Sequence, residues 1–180
     1  MKDWNVVVSV NEKGFRSAIK VLGGLGEIGK TEFFNVLVMK VEDIPGLLET
    51  LRRRLEEDPQ LLSFLSRLVP VTATFTYQTP GDFEDKVKET MPLWIRQLGG
   101  KGFHVRMRRR GFKGRLSSLE EEQMLDKFLL KLTEEGGTPG RIVFDDPDVI
   151  IVVETVAHRA GLSLWTREDL HRYPFIRPDR

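Results

Sequence analysis

No cysteine occurs anywhere in the sequence, and that single absence removes disulfides, thiolate-held zinc, iron–sulfur clusters and cysteine nucleophiles together. A cytoplasmic location is the simplest expectation. Histidine is scarce as well: His104, His158 and His171 lie far apart and lack the H-x-x-x-H spacing with an accompanying acid that builds a metal site. No resident metal is expected. No run approaches the ~18 consecutive apolar residues of a membrane span, and the opening MKDWNVVVSV has no signal-peptide apolar block. Low-complexity tracts are also missing, so the whole chain should fold. Finally, there is almost no excess charge. The 28 Lys and Arg residues face 27 Asp and Glu, for a net charge of +1, so any attraction to nucleic acid must come from local clustering.

Such clustering is present. Lys101–Arg115, KGFHVRMRRRGFKGR, holds seven basic residues and no acid in fifteen positions. Phe103, Val105 and Met107 alternate with His104, Arg106 and Arg108, so the period of two sends one set to a core and the other to the opposite face. The arginines then run on into a glycine-bounded loop. Guanidinium groups held at a strand edge in this way suit bidentate pairing with phosphate oxygens.

Around that stretch the chain divides into two halves, with the boundary expected at the turn Thr79-Pro80-Gly81. In residues 1–79, Trp4–Val10 reads as a strand and Asn11 as the cap of a helix carrying Phe15, Ala18, Ile19 and Leu22. Leu25–Lys30 and Phe33–Val41 read as strands. Asp43 caps a helix with Leu47, Leu48, Leu51 and Leu55 on one stripe, and Val69–Tyr77 reads as a last strand. The order β-α-β-β-α-β is the ferredoxin-like plan. In residues 80–180, Phe83, Val87, Met91, Ile95 and Leu98 mark a helix kinked at Pro92. The basic strand follows, and Ser118 with Glu121 offers a capping box for a helix bearing Leu125, Phe128, Leu129 and Leu132. Val149–Val153 is unbroken Val and Ile, as in a strand buried on both faces, and His158–Trp165 is its expected partner. The fold class is α/β, or α+β over the whole chain.

Several motifs compete for a chemical role. Gly24–Thr31, GLGEIGKT, satisfies the phosphate-loop pattern. That motif requires a strand before the loop and a helix opening at the Lys, and here helical spacing precedes and strand-like FFNVLVMKV follows. Asp145-Asp146-Pro147-Asp148 could offer carboxylates to magnesium, but reads better as turn chemistry at a strand entrance. Glu154, ending the buried strand, needs a cationic partner, for which Arg106 and Arg159 are the candidates. No nucleophile elbow, G-x-G-x-x-G after a strand, or hydroxyl beside a base appears. No catalytic residue and no cofactor are expected.

The second half resembles a THUMP domain over about residues 81–175. The resemblance rests on Phe103, Val105, Arg106, Arg109 and Arg110 in the basic strand and on Pro147, Asp148, Ile151, Val153 and Glu154 in the aliphatic one. The tail RAGLSLWTRE…RYPF is similar to the stand-alone THUMP proteins that assist tRNA cytidine acetylation. The resemblance implies a ferredoxin-like domain followed by a THUMP domain, the pair binding the acceptor end of tRNA. It also implies an RNA acetyltransferase as partner. Enzymes with THUMP domains carry a further catalytic domain, and none fits after residue 180, so binding without catalysis is expected.

The expected RNA contacts are Arg106, Arg108, Arg109, Arg110, Lys113 and Arg115, with Arg159 and Arg172 contributing. Arg106 stays open between an RNA contact and the partner of Glu154. Two rival functions remain: a nucleotide-binding enzyme using Lys30 and Thr31, and an interaction module whose basic loop docks an acidic protein.

Overall fold

The computed structural model describes residues 1–179, which form two compact units. The first comprises Met1–Val71 together with residues 170–179, and the second is Thr72–Asp169. The units thus divide at Val71, ahead of the Thr79-Pro80-Gly81 turn, and the RYPF tail belongs with the first.

In the first unit, β1 (Val6–Val10), α1 (Phe15–Leu22), β2 (Glu27–Lys30), β3 (Val36–Lys40), α2 (Ile44–Glu57), the short α3 (Leu61–Phe64) and β4 (Leu65–Pro70) follow in order. The antiparallel sheet runs β2-β3-β1-β4, the split β-α-β arrangement expected from the element order. Val7 lies between Val38 on β3 and Val69 on β4, and Val6, Val7 and Val8 are all buried. Asp43 caps α2 by accepting from the Gly46 N–H at 2.9 Å. Asn11 does not cap α1: the cap position is Gly14, and the Asn11 amide instead donates to the Ser63 carbonyl at 2.8 Å. The C-terminal tail is tied to β4, with the Leu68 N–H donating to the Phe175 carbonyl and Arg67 Nε donating to that of Arg177.

The phosphate-loop pattern lies at the edge of this sheet. Its second half is β2, with Lys30 paired opposite Leu37, and the Thr31 hydroxyl donates to the Val36 carbonyl at 2.9 Å. Lys30 Nζ sits 5.7 Å from the centre of the Phe15 ring. No helix opens at the lysine, so no helix N-terminus faces an anion there.

The second unit contains β5 (Ala73–Thr76), α4 (Pro80–Thr90), a 3-10 turn (Met91–Trp94), α5 (Ile95–Leu98), β6 (Gly102–Arg108), α6 (Ser118–Glu135), β7 (Arg141–Ile142), β8 (Val149–Val156) and β9 (Arg159–Thr166); α7 (Arg167–Arg172) leads into the tail. The sheet order is β5-β9-β8-β6-β7, parallel from β8 to β7 and antiparallel at the other end. The apolar run at 69–77 is therefore two strands, β4 ending at Pro70 in one sheet and β5 starting at Ala73 in the other. Phe103, Val105 and Met107 pack with Ile151 and Val153 against Phe83, Val87, Leu125 and Leu129 of the helices. Each such side chain contributes about 1.5–3 kcal/mol on leaving water.

Two hydrogen bonds explain why β7 stops after two residues. Beyond it, the Val105 and Met107 N–H groups donate to the carboxylates of Asp126 and Glu122 on α6, both at 2.8 Å. The strand edge is satisfied by a helix rather than by another strand. The cap of α6 is Ser117 rather than Ser118, which places Glu121 in the buried first turn instead of at the end of a capping box.

Candidate nucleic-acid interface

β6 ends at Arg108, and the chain turns back over residues 109–116. Three hydrogen bonds fix the turn. The Arg110 N–H donates to the Thr155 hydroxyl at 3.0 Å, the Ala157 N–H donates to the Arg110 carbonyl at 2.9 Å, and the Leu116 N–H donates to the Phe112 carbonyl at 3.0 Å. Leu116 is buried and anchors the far end. The loop rests on the two-residue turn between β8 and β9, Ala157-His158. Gly111, at φ 106°, lets the backbones approach, since a Cβ there would meet the Ala157 Cα at 3.3 Å.

Aromatic rings fill the angle between loop and turn. The Phe112 ring centre is 5.0 Å from that of Tyr77 and 5.0 Å from that of His158. The Tyr77 hydroxyl donates to the Ala157 carbonyl at 3.0 Å. Burial pushes the Tyr77 phenol above its usual value, against a hydrogen bond with Thr155 and the charge of Arg109, which keeps the donor proton in place. Phe112 and Ala157 have φ of 53° each, a region that non-glycine residues rarely adopt. Backbone strain of this kind gathers where a site is held in shape.

Five of the eight expected RNA contacts separate into three groups. Lys113 and Arg115 are exposed, with no acidic partner among the described residues, and the Arg115 guanidinium lies 5.1 Å from the Phe112 ring centre. Arg109 is half-buried and donates to the Gly111 carbonyl. Arg108, also half-buried, is shifted down by desolvation and by the neighbouring Arg110, while Glu154 and Glu122 act the other way; a guanidinium stays charged throughout. Arg159, across the β8–β9 turn, donates to the Thr74 hydroxyl at 2.9 Å. By chain position Arg108 ends β6, Arg109, Lys113 and Arg115 lie on the loop that follows it, and Arg159 opens β9 directly after the β8–β9 turn.

Arg110 is the correction within the run. Its side chain is 9 % exposed and donates to Glu154 at 2.6 Å, so its charge is spent on the buried carboxylate for which Arg106 and Arg159 were the expected partners. Arg106 instead lies 3.6 Å from Glu122 of α6. Arg172 lies in the first unit, where it donates to Glu49 at 2.9 Å. The Glu49 carboxyl is held down to about 2 by Arg172, Tyr173 and Arg52. His104, expected on the outward face of β6, is fully buried with Nδ1 2.8 Å from the Val143 carbonyl. Trp165 is buried too, its indole N–H donating to the Ser163 hydroxyl.

The aspartate quartet is bound up in its own turn. Asp148 accepts from the Gly102 N–H at 2.8 Å, which with Arg167 and Arg141 holds its carboxyl below the usual range, and Arg167 also donates to Asp146. Tyr77, Ala157 and His158, which shape the loop–turn edge, were not among the expected site residues. Tyr77 lies 80 positions from its Ala157 partner, and only the glycines at 111 and 114 hinted at a built loop.

No family model matches the chain. A tRNA sulfurtransferase of Shewanella pealeana is 26% identical over 166 residues, covering 88% of this chain and 32% of that protein. A tRNA sulfurtransferase of Shewanella halifaxensis matches with the same identity and coverage. The chain spans about a third of the length of these curated relatives. Among solved structures, TrmN from Thermus thermophilus aligns with a TM-score of 0.57 at 15% identity, covering 89% of this chain and 44% of that one. A possible methylase from Clostridium difficile aligns at 0.59 and 16%, covering 92% and 42%. A 4-thiouridine synthetase in complex with RNA and bound ATP aligns at 0.50 and 13%, covering 91% and 42%. These structures share the fold.

The comparisons overturn one expectation. Binding without catalysis was inferred from the lack of room for a catalytic domain, yet the curated relatives are named for an enzymatic activity, and the fold recurs in a possible methylase and a thiouridine synthetase. Among the described residues no group of three His, Asp or Glu side chains is placed to hold a metal, and no helix is long and apolar enough to cross a membrane.

Proposed function

We propose that this chain is the tRNA-binding part of a THUMP-type tRNA-modifying enzyme, and that it engages RNA through the loop–turn edge bordered by Arg108, Arg109, Lys113, Arg115 and Arg159. The observation that carries the reading is the pair of exposed cations, Lys113 and Arg115, that have no acidic partner among the described residues, on a loop anchored from beneath by a buried ion pair. Phosphate oxygens are the natural partners of such a row. The names of the curated relatives favour sulfur transfer to tRNA as the whole protein's activity. Delivery to a separate cytidine acetyltransferase has no comparable observation behind it. The acceptor end is the part of tRNA offered to this edge, because a paired stem supplies backbone phosphates and its single strand supplies unpaired bases.

The test is a titration with tRNA at two salt concentrations, using the chain and its R109E/K113E/R115E variant. The expected result is affinity that falls steeply with salt in the wild type and is lost in the variant, whose circular dichroism is unchanged. A variant that binds like the wild type overturns the reading.

A further inference from the structure

The edge just described is built almost wholly of donors. Arg108, Arg109, Lys113, Arg115 and Arg159 offer N–H groups and accept nothing. His158 is the exception. It is exposed at the second position of the β8–β9 turn, and its ring is fixed from three sides: Nδ1 lies 3.0 Å from the Tyr77 carbonyl, and the ring centre stands 5.0 Å from that of Phe112 and 6.4 Å from that of Tyr77. The Tyr77 N–H in turn donates to the His158 carbonyl at 2.8 Å. A carbonyl oxygen cannot donate, so Nδ1 carries the proton and Nε2 of the neutral ring holds a lone pair.

We infer that His158 Nε2 reads a ribose 2′-hydroxyl, making His158 a specificity-determining residue that favours RNA over DNA. The inference rests on the RNA-binding reading above. Phosphate contacts do not discriminate between the two nucleic acids, whereas the 2′-hydroxyl is the group that does. That hydroxyl needs an acceptor for its proton, which the surrounding cations cannot supply. The ring is also fixed in advance: its hydrogen bond to Tyr77 and its edge contact with Phe112 set the direction of Nε2 before any ligand arrives, so little rotamer freedom is lost on binding. The strained Ala157, at φ 53°, places this turn against the basic loop.

The experiment compares an RNA hairpin carrying a 3′ single strand with the DNA hairpin of the same sequence, at pH 8 and two salt concentrations, for the 180-residue chain and two variants. His158→Asn retains a donor for the Tyr77 carbonyl and removes the outer nitrogen; His158→Gln keeps an acceptor near the Nε2 position. The expected result is a several-fold fall in the RNA-over-DNA affinity ratio for H158N, with the salt slope unchanged and the ratio largely restored in H158Q. An unchanged ratio in H158N overturns the inference. So does an equal loss on RNA and DNA with a shallower salt slope, which would mark a phosphate contact. Both of those outcomes leave the RNA-binding reading standing, whereas a wild type that binds neither hairpin overturns the two together. Thermal melts of both variants confirm that each is folded when the ratio is read.

Discussion

The Arg110 guanidinium donates to the Glu154 carboxylate at 2.6 Å, where the carboxylate is fully buried and the arginine is 9 % exposed. Glu154 sits opposite Arg108 in the parallel register of β6 and β8, so the pair ties the first residues of the loop to the most buried strand. An arginine that looks on paper like one more phosphate contact thus holds the loop on which the others stand.

Removing one member of this pair leaves a buried charge without its partner and should cost about 3–5 kcal/mol. R110M and E154L should each show a loss of that order in urea denaturation. The double variant R110M/E154L should recover most of it, because neither charge is then stranded. Equal instability of the single and double variants would show that packing, not the charge pair, sets the stability here.

Lys113 should behave as a lone phosphate contact. Lys113→Ala is expected to leave the unfolding free energy within ~0.5 kcal/mol of the wild type, as for other exposed substitutions. It should make the log–log salt dependence of RNA affinity shallower by about 0.7–0.9. An unchanged slope would remove Lys113 from the interface.

Gly111→Ala and Ala157→Gly probe the backbone geometry from opposite sides. Alanine at φ 106° and 3.3 Å from the Ala157 Cα should cost about 1–3 kcal/mol and weaken RNA binding by displacing the loop. Glycine at 157 relieves a φ of 53° at the price of unfolded-state entropy, so its stability should change by less than ~1 kcal/mol. Denaturation curves decide both.

Much of the architecture is legible from spacing. The alternation of Phe103, Val105 and Met107, the unbroken Val149–Val153 and the Asp43 cap are local patterns, and each correctly marks its element. One failure is local, the α6 cap falling at Ser117 instead of Ser118; the others are non-local. A single apolar run at 69–77 feeds two sheets, and nothing local says which strand each half will join. Asn11 binds carbonyls some fifty positions away instead of its own helix. That Glu154 needed a cation was readable; that Arg110 supplies it depends on how the loop turns after β6. For the same reason the packing of Tyr77 and His158 against the basic loop could not be read from sequence.

A pH dependence of stability should arise from α6. Glu121 is buried in the first turn of that helix, and one of its carboxylate oxygens has no hydrogen-bond partner among the described residues. Desolvation, with repulsion and a shared hydrogen bond from Glu84 on α4 and further repulsion from Glu120, pushes its carboxyl from 4.5 up to about 7; only Lys88 opposes. Asp126 moves the same way, from 3.8 to about 6, chiefly through burial. Between the ordinary and the raised values the folded chain binds more protons than the unfolded one, so stability is full below about 4.5 and falls as pH rises through 7. Glu49, Asp82 and Asp148, all held down by their hydrogen bonds, act in a separate window: their contribution is present above the ordinary carboxylate range and is lost on acidification below it. Melting temperature should therefore decline from pH 5 to pH 8, and Glu121→Gln, neutral at every pH, should flatten that decline and melt higher than the wild type at pH 8. The part of the decline that persists in E121Q belongs to Asp126. A wild-type melting temperature that is level from pH 5 to pH 8 would mean that Glu121 ionises without cost and that α4 and α6 separate enough to let water reach it.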